Sequence, residues 1–430
     1  MNTQQNSANF LSHASDRIKD SWVGGITAVV AITTLLLLQS FADFSEAVSV
    51  LVLLVAAVIA LIFIEVILNQ VHHRSSAGLN QRRPVTKGLL RRCGIKYLGF
   101  LGVVGCLAFI YWLIPEYQKE LYLPAFMLIL YLLPVILLIA IPYIIWTDTR
   151  LDQPEDAYYA IGAWLLRKKC STQSIAWKPF ILGWGVKVFF LPIMLGFLCH
   201  NVGNVMEHGF QFDSFQNFFI TSMNLIFTLD TIFGAIGYLM TLRVLDAHIR
   251  TPDQTVSGWL VTLICYPPFL SLMGQSYYHF KAEQDWQVFL IDYPLLYVAW
   301  GTTILFSLFF YVWATVCFGC RFSNLTNRGI INFGPYRFMK HPAYVFKCIS
   351  WWLLLTPFVS SSDPMICLQA CLLLTLKCGV YVGRAKVEER LLMQDPAYVE
   401  YSAWMDQNSW WAQWKQWIQR RRHRSIPAES

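Results

Sequence analysis

The residues most able to do chemistry lie in one short segment, GPYRFMKHPAY, at positions 334–344. Five of its side chains supply hydrogen-bond donors in compact or extended form: Tyr336, Arg337, Lys340, His341 and Tyr344. The two prolines fix φ and lack N–H groups, which predicts a shaped turn followed by the start of a helix. Because the segment lies between two long apolar runs, it predicts a polar site at a membrane surface.

A second polar segment, GRAKVEERLL, follows at positions 383–392. On a helix, Arg384 and Glu388 are four residues apart on one face, and Lys386 and Arg390 are four apart on the next. Glu389 lies between these two faces. A single apolar hairpin separates this segment from the first one, so we expect both to return to the same side of the membrane.

The composition indicates a membrane protein. Hydrophobic residues make up 56% of the chain, charged residues 14%, and the mean hydropathy is +0.45. A soluble domain carries about a quarter charged residues. The polar start of the chain lacks the pattern of a cleaved signal peptide, so the first apolar run is expected to stay as a spanning helix. The net charge of +7 is explained by positive loops and predicts no nucleic-acid partner.

The 11 cysteines predict neither a disulfide framework nor a metal site. Most lie in or beside apolar runs, where cysteine behaves as a small hydrophobic residue. Cys317 and Cys320 form one CxxC pair, whereas a zinc site needs four ligands, usually from two such pairs. We therefore expect this pair to pack at a helix end.

Apolar runs of about 20 residues are long enough to span a bilayer. They predict an all-α polytopic membrane protein with about ten spanning helices, at 22–41, 47–68, 97–114, 123–146, 178–200, 216–240, 257–275, 293–318, 343–359 and 365–383.

The distribution of positive charge predicts the orientation of these helices. With the N-terminus inside, 27 of the 33 Lys and Arg residues fall in inner segments, and only Lys119 and Lys281 fall in outer loops. This asymmetry is typical of a protein with both termini in the cytoplasm. It also predicts that segments 334–344 and 383–392 lie at the cytoplasmic face.

Two inner segments are predicted to be helices at the membrane surface. Segment 153–169 has acidic residues first, apolar residues in the middle and cations last. The tail at 401–424 combines aromatic and basic residues, which favour headgroups and anionic lipid. These residues are Trp404, Trp410, Trp411, Trp414, Trp417, Arg420, Arg421, Arg422 and Arg424.

The order of these motifs resembles that of the isoprenylcysteine carboxyl methyltransferases and their relatives, the phospholipid and membrane thiol methyltransferases. In that family GPYRxxRHPxY is followed by a hairpin, an EER segment and a Y-x-x-Y pair. Here the elements are GPYRFMKHPAY, an apolar hairpin, VEERLL, and Tyr398 with Tyr401. The similarity covers 334–401, about a sixth of the chain.

The resemblance implies that S-adenosylmethionine binds at the cytoplasmic face. By motif position, His341, Tyr344, Glu388 and Glu389 would line its pocket, and Tyr336 is also expected to bind the cofactor. The carboxylates suit its cationic groups or ribose hydroxyls, and Tyr344 offers an aromatic face to the sulfonium or adenine. Its own carboxylate would be held by a cation, with three candidates: Arg337, Lys340 and Arg384. No residue is assigned as catalytic, because in-line methyl transfer mainly requires alignment and electrostatics.

Two departures from the family pattern limit what the resemblance implies. Lys340 stands where the family has Arg, which replaces a forked donor by a point charge. After Tyr401 the family runs into a short basic segment ending in proline, whereas this chain enters its Trp-rich tail. That region borders the substrate entrance in relatives, so the identity of the substrate is not carried over.

We therefore expect three regions: an N-terminal five-helix membrane region at 1–214 whose role is open, a methyltransferase-like module at 215–404, and an interfacial tail at 405–430. The expected acceptor is a lipophilic molecule, lipid or lipidated substrate that offers a carboxylate, thiol or amine. The expected location is the inner membrane of a bacterium, among membrane lipids, and the oligomeric state is open.

Two alternatives remain open at this level. Ten helices split as five and five would permit a transporter with an inverted repeat. A sterol-reductase-like enzyme that uses NADPH would share a similar helical C-terminal region, although such proteins lack the combined GPYR and HPxY string.

Overall fold

The computed structural model describes residues 14–41, 44–79, 82–169, 175–270 and 285–424. Within these ranges the regular secondary structure is helical apart from one short antiparallel pair, β1 (Thr251–Pro252) and β2 (Thr326–Asn327). The helices are α1 (Ala14–Phe41), α2 (Glu46–Ile62), α3 (Lys87–Leu113), α4 (Leu123–Asp148), α5 (Ala157–Leu165), α6 (Trp177–His208), α7 (Phe215–Leu239), α8 (Val256–Leu263), α9 (Trp286–Leu290), α10 (Pro294–Phe318), α11 (Pro342–Leu355), α12 (Pro364–Leu392), α13 (Pro396–Asn408) and α14 (Trp410–Arg424).

Nine helical segments of the described residues are long and apolar enough to cross a membrane. The all-α, polytopic part of the prediction is therefore supported. The nine segments correspond to all the predicted spans except the seventh: Ser21–Phe41, Glu46–Leu68, Lys87–Leu113, Leu123–Asp148, Trp177–His208, Phe215–Leu239, Pro294–Arg321, Pro342–Val359 and Pro364–Leu392.

The seventh predicted span, 257–275, is not a continuous helix. Helix α8 ends at Leu263, and residues 264–268 form turns that contain Pro267 and Pro268. A proline removes a backbone N–H and its ring clashes with the preceding turn, which explains the interruption. The end of that span at 271–275 and the predicted outer-loop Lys281 lie outside the described residues, as do residues 1–13 and 425–430.

Helix α3 begins ten residues before the predicted third span. Thr86 caps its first turn by accepting a hydrogen bond from the Leu89 N–H at 3.2 Å. Two of the cations in its first turns form tertiary ion pairs, since the Asp148 carboxylate lies 2.5 Å from Arg92 and 2.8 Å from Lys96. A buried carboxylate that accepts from two cations allows these polar turns to remain helical.

The helix predicted within 153–169 is present as α5. Asp156 caps it by accepting a hydrogen bond from the Tyr159 N–H at 3.1 Å. The α5 backbone packs closely against α3 at Gly99 and Gly162, where a Cβ on either glycine would collide with carbonyl groups of the other helix.

The chain folds into two compact units, each assembled from segments that are distant in the sequence. The first comprises Met1–Gly25, Ser257–Phe318 and Ile330–Ser430, and the second comprises Ile26–Val256 and Gly319–Gly329. Both polar segments singled out by the sequence belong to the first unit.

In the first unit, contacts between α10 and α11 position the start of α11. The Trp300 indole N–H donates to the Leu353 carbonyl at 3.0 Å, and the Ser307 hydroxyl donates to the Phe346 carbonyl at 3.0 Å. The turn before α11 contains Gly334 at φ +58°, where an added Cβ would lie 2.6 Å from the Cys317 sulfur. Glycine is therefore required by both its backbone conformation and the space available.

In the second unit, a fully buried Arg328 ties segment 319–329 to the end of α7. Its guanidinium donates to the carbonyls of Gly237 at 2.6 Å and Phe322 at 2.8 Å, and also to those of Met240 and Ala247. Burial lowers the pKa of Arg328 to about 10, so the group still carries its charge at neutral pH. The β1–β2 pair holds the same segment in place.

Candidate functional site

The two polar segments contact each other through His341 and Glu389. The Nε2 atom of His341 lies 2.9 Å from Oε1 of Glu389, and its Nδ1 atom lies 3.9 Å from Oε2 of Glu388. His341 precedes α11 directly, whereas Glu388 and Glu389 lie in the last two turns of α12. The carboxylates therefore fix the orientation of the imidazole across the helical hairpin.

Tyr344 completes this group one turn into α11. Its hydroxyl donates to Oε2 of Glu388 at 2.8 Å. Its ring lies parallel to the His341 ring, with 5.7 Å between the centroids and 4° between the planes. The result is a platform of two aromatic rings bordered by two carboxylates, whose side chains are 35% and 36% exposed.

Arg384 lies beside this platform, one turn before Glu388 on α12. It is buried, and its guanidinium carbon lies 5.1 Å from the centroid of Tyr344 and 5.1 Å from that of Tyr381. The ring of Tyr266 lies 5.6 Å from the same carbon. Aromatic faces stabilise a cation at these distances.

Tyr336 is a buried residue in the turn that precedes α11. Its ring packs in a buried cluster with Cys317, Ile331 and Phe333. Its carbonyl accepts a hydrogen bond from the Tyr401 hydroxyl at 2.7 Å. Burial raises the pKa of Tyr336 and that of Tyr401, so both hydroxyls stay neutral at physiological pH.

Lys340 contacts the tail through α13. Its ammonium donates to the Ser402 hydroxyl at 2.9 Å and to Oδ1 of Asp406 at 2.9 Å. The Arg337 side chain is exposed. The structure therefore brings His341, Tyr344, Glu388 and Glu389 together, with Arg384 beside them. Lys340 instead contacts Ser402 and Asp406 on α13.

A cavity of about 530 Å³ lies between the start of α11 and the tail helices. Its volume falls within the range of small-molecule sites, which are mostly apolar with a few polar groups. It is lined by Phe338, Met339, Lys340, Val345, Met405, Asp406, Ser409, Trp410 and Trp411. The ion pair of Lys340 with Asp406 thus forms part of the cavity wall.

Sequence reasoning missed several residues around this site. Tyr381 is three residues before the predicted Arg384 on α12, so the helical periodicity of that segment could have placed it beside Tyr344 as well. Asp406 and Ser402 lie near the tail, which the sequence analysis interpreted from its tryptophans and arginines. No local sequence pattern indicated that these two residues contact Lys340. In the described part of the chain, no group of three His, Cys, Asp or Glu residues is arranged to hold a metal ion.

Comparisons of this chain with protein-family models, with curated proteins and with solved structures find no match.

Proposed function

We propose that this chain is an integral membrane methyltransferase that moves a methyl group from S-adenosylmethionine to a lipophilic or membrane-delivered acceptor. The proposal depends on one observation. His341 and Tyr344 hydrogen-bond to Glu389 and Glu388, which lie 48 and 44 positions further along the chain. These four residues are the ones that the motif resemblance places around the cofactor.

The chemistry of these side chains fits the cofactor. An ionised carboxylate has about four lone-pair sites. Glu389 uses one of them for His341, and Glu388 uses one for Tyr344. The remaining sites, on side chains about one-third exposed, can accept hydrogen bonds from ribose hydroxyls or from an ammonium group. The Tyr344 ring offers a face that attracts a sulfonium.

When bound, S-adenosylmethionine supplies an electrophilic methyl group. The residues of the chain would bind and align the two reactants, because in-line transfer depends on orientation and on electrostatic stabilisation. Glu389 would hold the His341 ring in one orientation, and Glu388 would do the same for the Tyr344 hydroxyl. Arg384, next to Tyr344, is a candidate to hold the cofactor carboxylate.

We propose further that the site faces the cytoplasm, with both termini inside and about ten spans, in the inner membrane of a bacterium. The excess of Lys and Arg in the segments assigned to the inside supports this orientation. The apolar cavity beside Lys340 supports a lipophilic acceptor.

A binding measurement on the purified wild-type chain tests the function directly. Calorimetric titration should show saturable binding of S-adenosylhomocysteine, the product form of the cofactor, and no binding of NADPH. Binding of NADPH alone would instead favour a sterol-reductase-like enzyme. Binding of neither compound would remove the methyltransferase proposal and favour a transporter.

The orientation is tested by cysteine labelling in intact cells. A membrane-impermeant thiol reagent should modify Gln118→Cys, in the loop between α3 and α4, more than the parent chain. The same reagent should not modify Gln394→Cys, just after α12, until the membrane is opened. Labelling of Gln394→Cys in intact cells would place the candidate site on the outer face.

A further inference from the structure

Helix α14 forms one wall of the cavity beside the start of α11. Trp410 and Trp411, in the first turn of α14, line that wall. The Trp410 N–H donates to the Phe338 carbonyl at 3.1 Å, and the rings of these two residues lie 4.9 Å apart. Ser409 caps the helix by accepting a hydrogen bond from the Ala412 N–H at 3.3 Å. The first turn of α14 therefore closes one side of the cavity.

The face of α14 that borders the cavity continues along the helix as exposed tryptophan. Trp414 and Trp417 lie four and seven residues after Trp410, which places the three on one helix face. Trp411 stacks on Trp414 with 4.8 Å between the ring centroids, and all four side chains are exposed. Tryptophan favours the headgroup zone of a bilayer. A bilayer that takes up this face therefore competes with the cavity for Trp410 and Trp411.

The charge of α14 indicates which kind of bilayer the helix would bind. Its sequence contains no Asp or Glu and five basic residues, four of them in its last five positions: Lys415, Arg420, Arg421, Arg422 and Arg424. Clustered Lys and Arg residues are attracted to anionic lipid, and each residue adds to that attraction. An aromatic face combined with basic residues is typical of a helix that binds an anionic membrane surface.

We propose that α14 is a lid on the cavity and that it opens when the helix binds anionic phospholipid in the bilayer. Opening breaks the contacts of Trp410 with Phe338 and moves Trp410 and Trp411 from the cavity wall to the headgroups. The attraction of several cations to the lipid outweighs the loss of one aromatic pair and one hydrogen bond.

The movement leaves the rest of the cavity wall in place. Asp406, which pairs with Lys340, belongs to α13, and Ser409 separates α13 from α14. An open lid gives a lipophilic molecule a path from the bilayer into the cavity. The inference rests on α14 and the cavity alone, and it does not depend on the methyltransferase function.

The lid is tested by the reactivity of Met339→Cys, at a position that lines the cavity. The full chain is placed in nanodiscs of phosphatidylcholine alone, or of an equal mixture with phosphatidylglycerol, and treated with N-ethylmaleimide. Mass spectrometry of peptides measures the modification at position 339 separately from that of the native cysteines. The rate should be several-fold higher in the nanodiscs that contain phosphatidylglycerol, because the lid is open there.

Gln394→Cys controls for the reagent. Gln394 is exposed just after α12 and is not among the residues that line the cavity. A thiol at this position should react at the same rate in both kinds of nanodisc. A change in its rate would measure how the lipid alters the local concentration of the reagent, and the rate at position 339 is divided by it.

Charge variants in the Met339→Cys background test the basic end of α14. The rate increase should disappear when three arginines are neutralised together, as Arg420→Gln, Arg421→Gln and Arg422→Gln. The matched control neutralises three exposed cations that follow α5 in the second unit, as Arg167→Gln, Lys168→Gln and Lys169→Gln. This control should keep the increase, because these cations do not belong to α14.

Trp414 tests the aromatic face without altering the cavity, since it is not among the lining residues. Trp414→Ala should reduce the rate increase, and Trp414→Phe should retain most of it. Size-exclusion profiles and unfolding temperatures would show that all variants fold.

Several results would overturn the lid. They are equal rates at position 339 in the two kinds of nanodisc, a lower rate with phosphatidylglycerol, or an undiminished increase in the variant with three arginines neutralised. An equal increase caused by soluble glycerol phosphate would show a phosphate site in place of a membrane contact. If the lid opens as expected but the wild type does not bind S-adenosylhomocysteine, the lid stands and the methyltransferase function fails.

Discussion

The two units each contain a buried polar cluster, and the clusters differ in what remains available for a ligand. In the second unit, Arg328 directs its donors at backbone carbonyls, and the Asp246 carboxylate accepts from the Ser76 hydroxyl at 2.7 Å. In the first unit, Glu388 and Glu389 each hold one neighbour and remain about one-third exposed. In the second unit, the donors and acceptors of the cluster are therefore used within the protein to hold a loop. In the first unit, the two carboxylates keep lone pairs that a ligand can use.

The difference shows why charge alone does not identify a site in this chain. Arg328 and Arg384 are both buried arginines, yet Arg328 is surrounded by carbonyl oxygens and Arg384 by aromatic rings. Carbonyl oxygens accept hydrogen bonds from a guanidinium, and aromatic rings attract it electrostatically to their faces. Substitution should therefore affect stability in the second unit and binding in the first.

The largest effect is expected at Arg328. Arg328→Met removes a buried cation and leaves the carbonyls of Gly237, Phe322, Met240 and Ala247 without their donor. Since a single unsatisfied buried group costs about 1–3 kcal/mol, we expect the free energy of unfolding to decrease by about 3 kcal/mol or more. Thermal unfolding in detergent would measure it. An unfolding temperature equal to that of the wild type would contradict the structural role of this cluster.

A smaller effect is expected from the neighbouring His248. Burial and the nearby Arg243, Arg250 and Arg328 lower the pKa of His248 to about 3, below the ordinary value of 6.5. The unfolded chain therefore binds a proton below pH 6.5 that the folded chain does not, and stability falls as the pH decreases. Between pH 7 and pH 5 the free energy of unfolding should therefore decrease by about 2 kcal/mol.

The variant His248→Gln separates the contribution of His248 to the pH dependence of stability from the contributions of the other histidines. Unfolding temperatures measured at pH 7 and pH 5 should differ less in His248→Gln than in the wild type. An identical pH dependence in the two proteins would show that His248 takes up its proton in the folded state. The affinity for S-adenosylhomocysteine should not depend on this residue.

The smallest effect is expected at Lys340. Its partner Asp406 has a side chain that is 68% exposed, and such an ion pair contributes about 0.2–1 kcal/mol. Lys340→Ala and Asp406→Asn should both increase hydrogen exchange in α13, which carries Asp406, and Lys340→Arg should not. The affinity for S-adenosylhomocysteine should change little in all three variants. A strong loss in Lys340→Ala alone would return Lys340 to the role of holding the cofactor carboxylate.

The sequence predicted the features that depend on residues close together along the chain. Apolar runs predicted the nine helical segments of the described residues that are long and apolar enough to span a membrane, and the Pro335 and Pro342 pattern predicted the turn and the start of α11. The order of the motifs also predicted that the segments around His341 and Glu389 lie together, and the two side chains form a hydrogen bond.

The features that the sequence did not predict depend on tertiary contacts. The early start of α3 requires Asp148, which is 56 residues from Arg92. Three of the four carbonyls that Arg328 contacts belong to residues 81 to 91 positions away, and no side-chain pattern records these contacts. The contact of Lys340 with Asp406 spans 66 positions.

The most direct test of the central claim is a calorimetric titration of S-adenosylhomocysteine into Glu389→Gln and Glu400→Gln. Glu389→Gln keeps the shape of the side chain but removes the charge beside His341, whereas Glu400 is an exposed glutamate on α13 and serves as the matched control. Losing a charge-assisted contact costs about 1.5–3 kcal/mol, so the affinity should fall about tenfold or more in Glu389→Gln only, with unchanged unfolding temperatures. Equal affinities in the wild type and both variants would contradict the assignment of this cluster as the cofactor site.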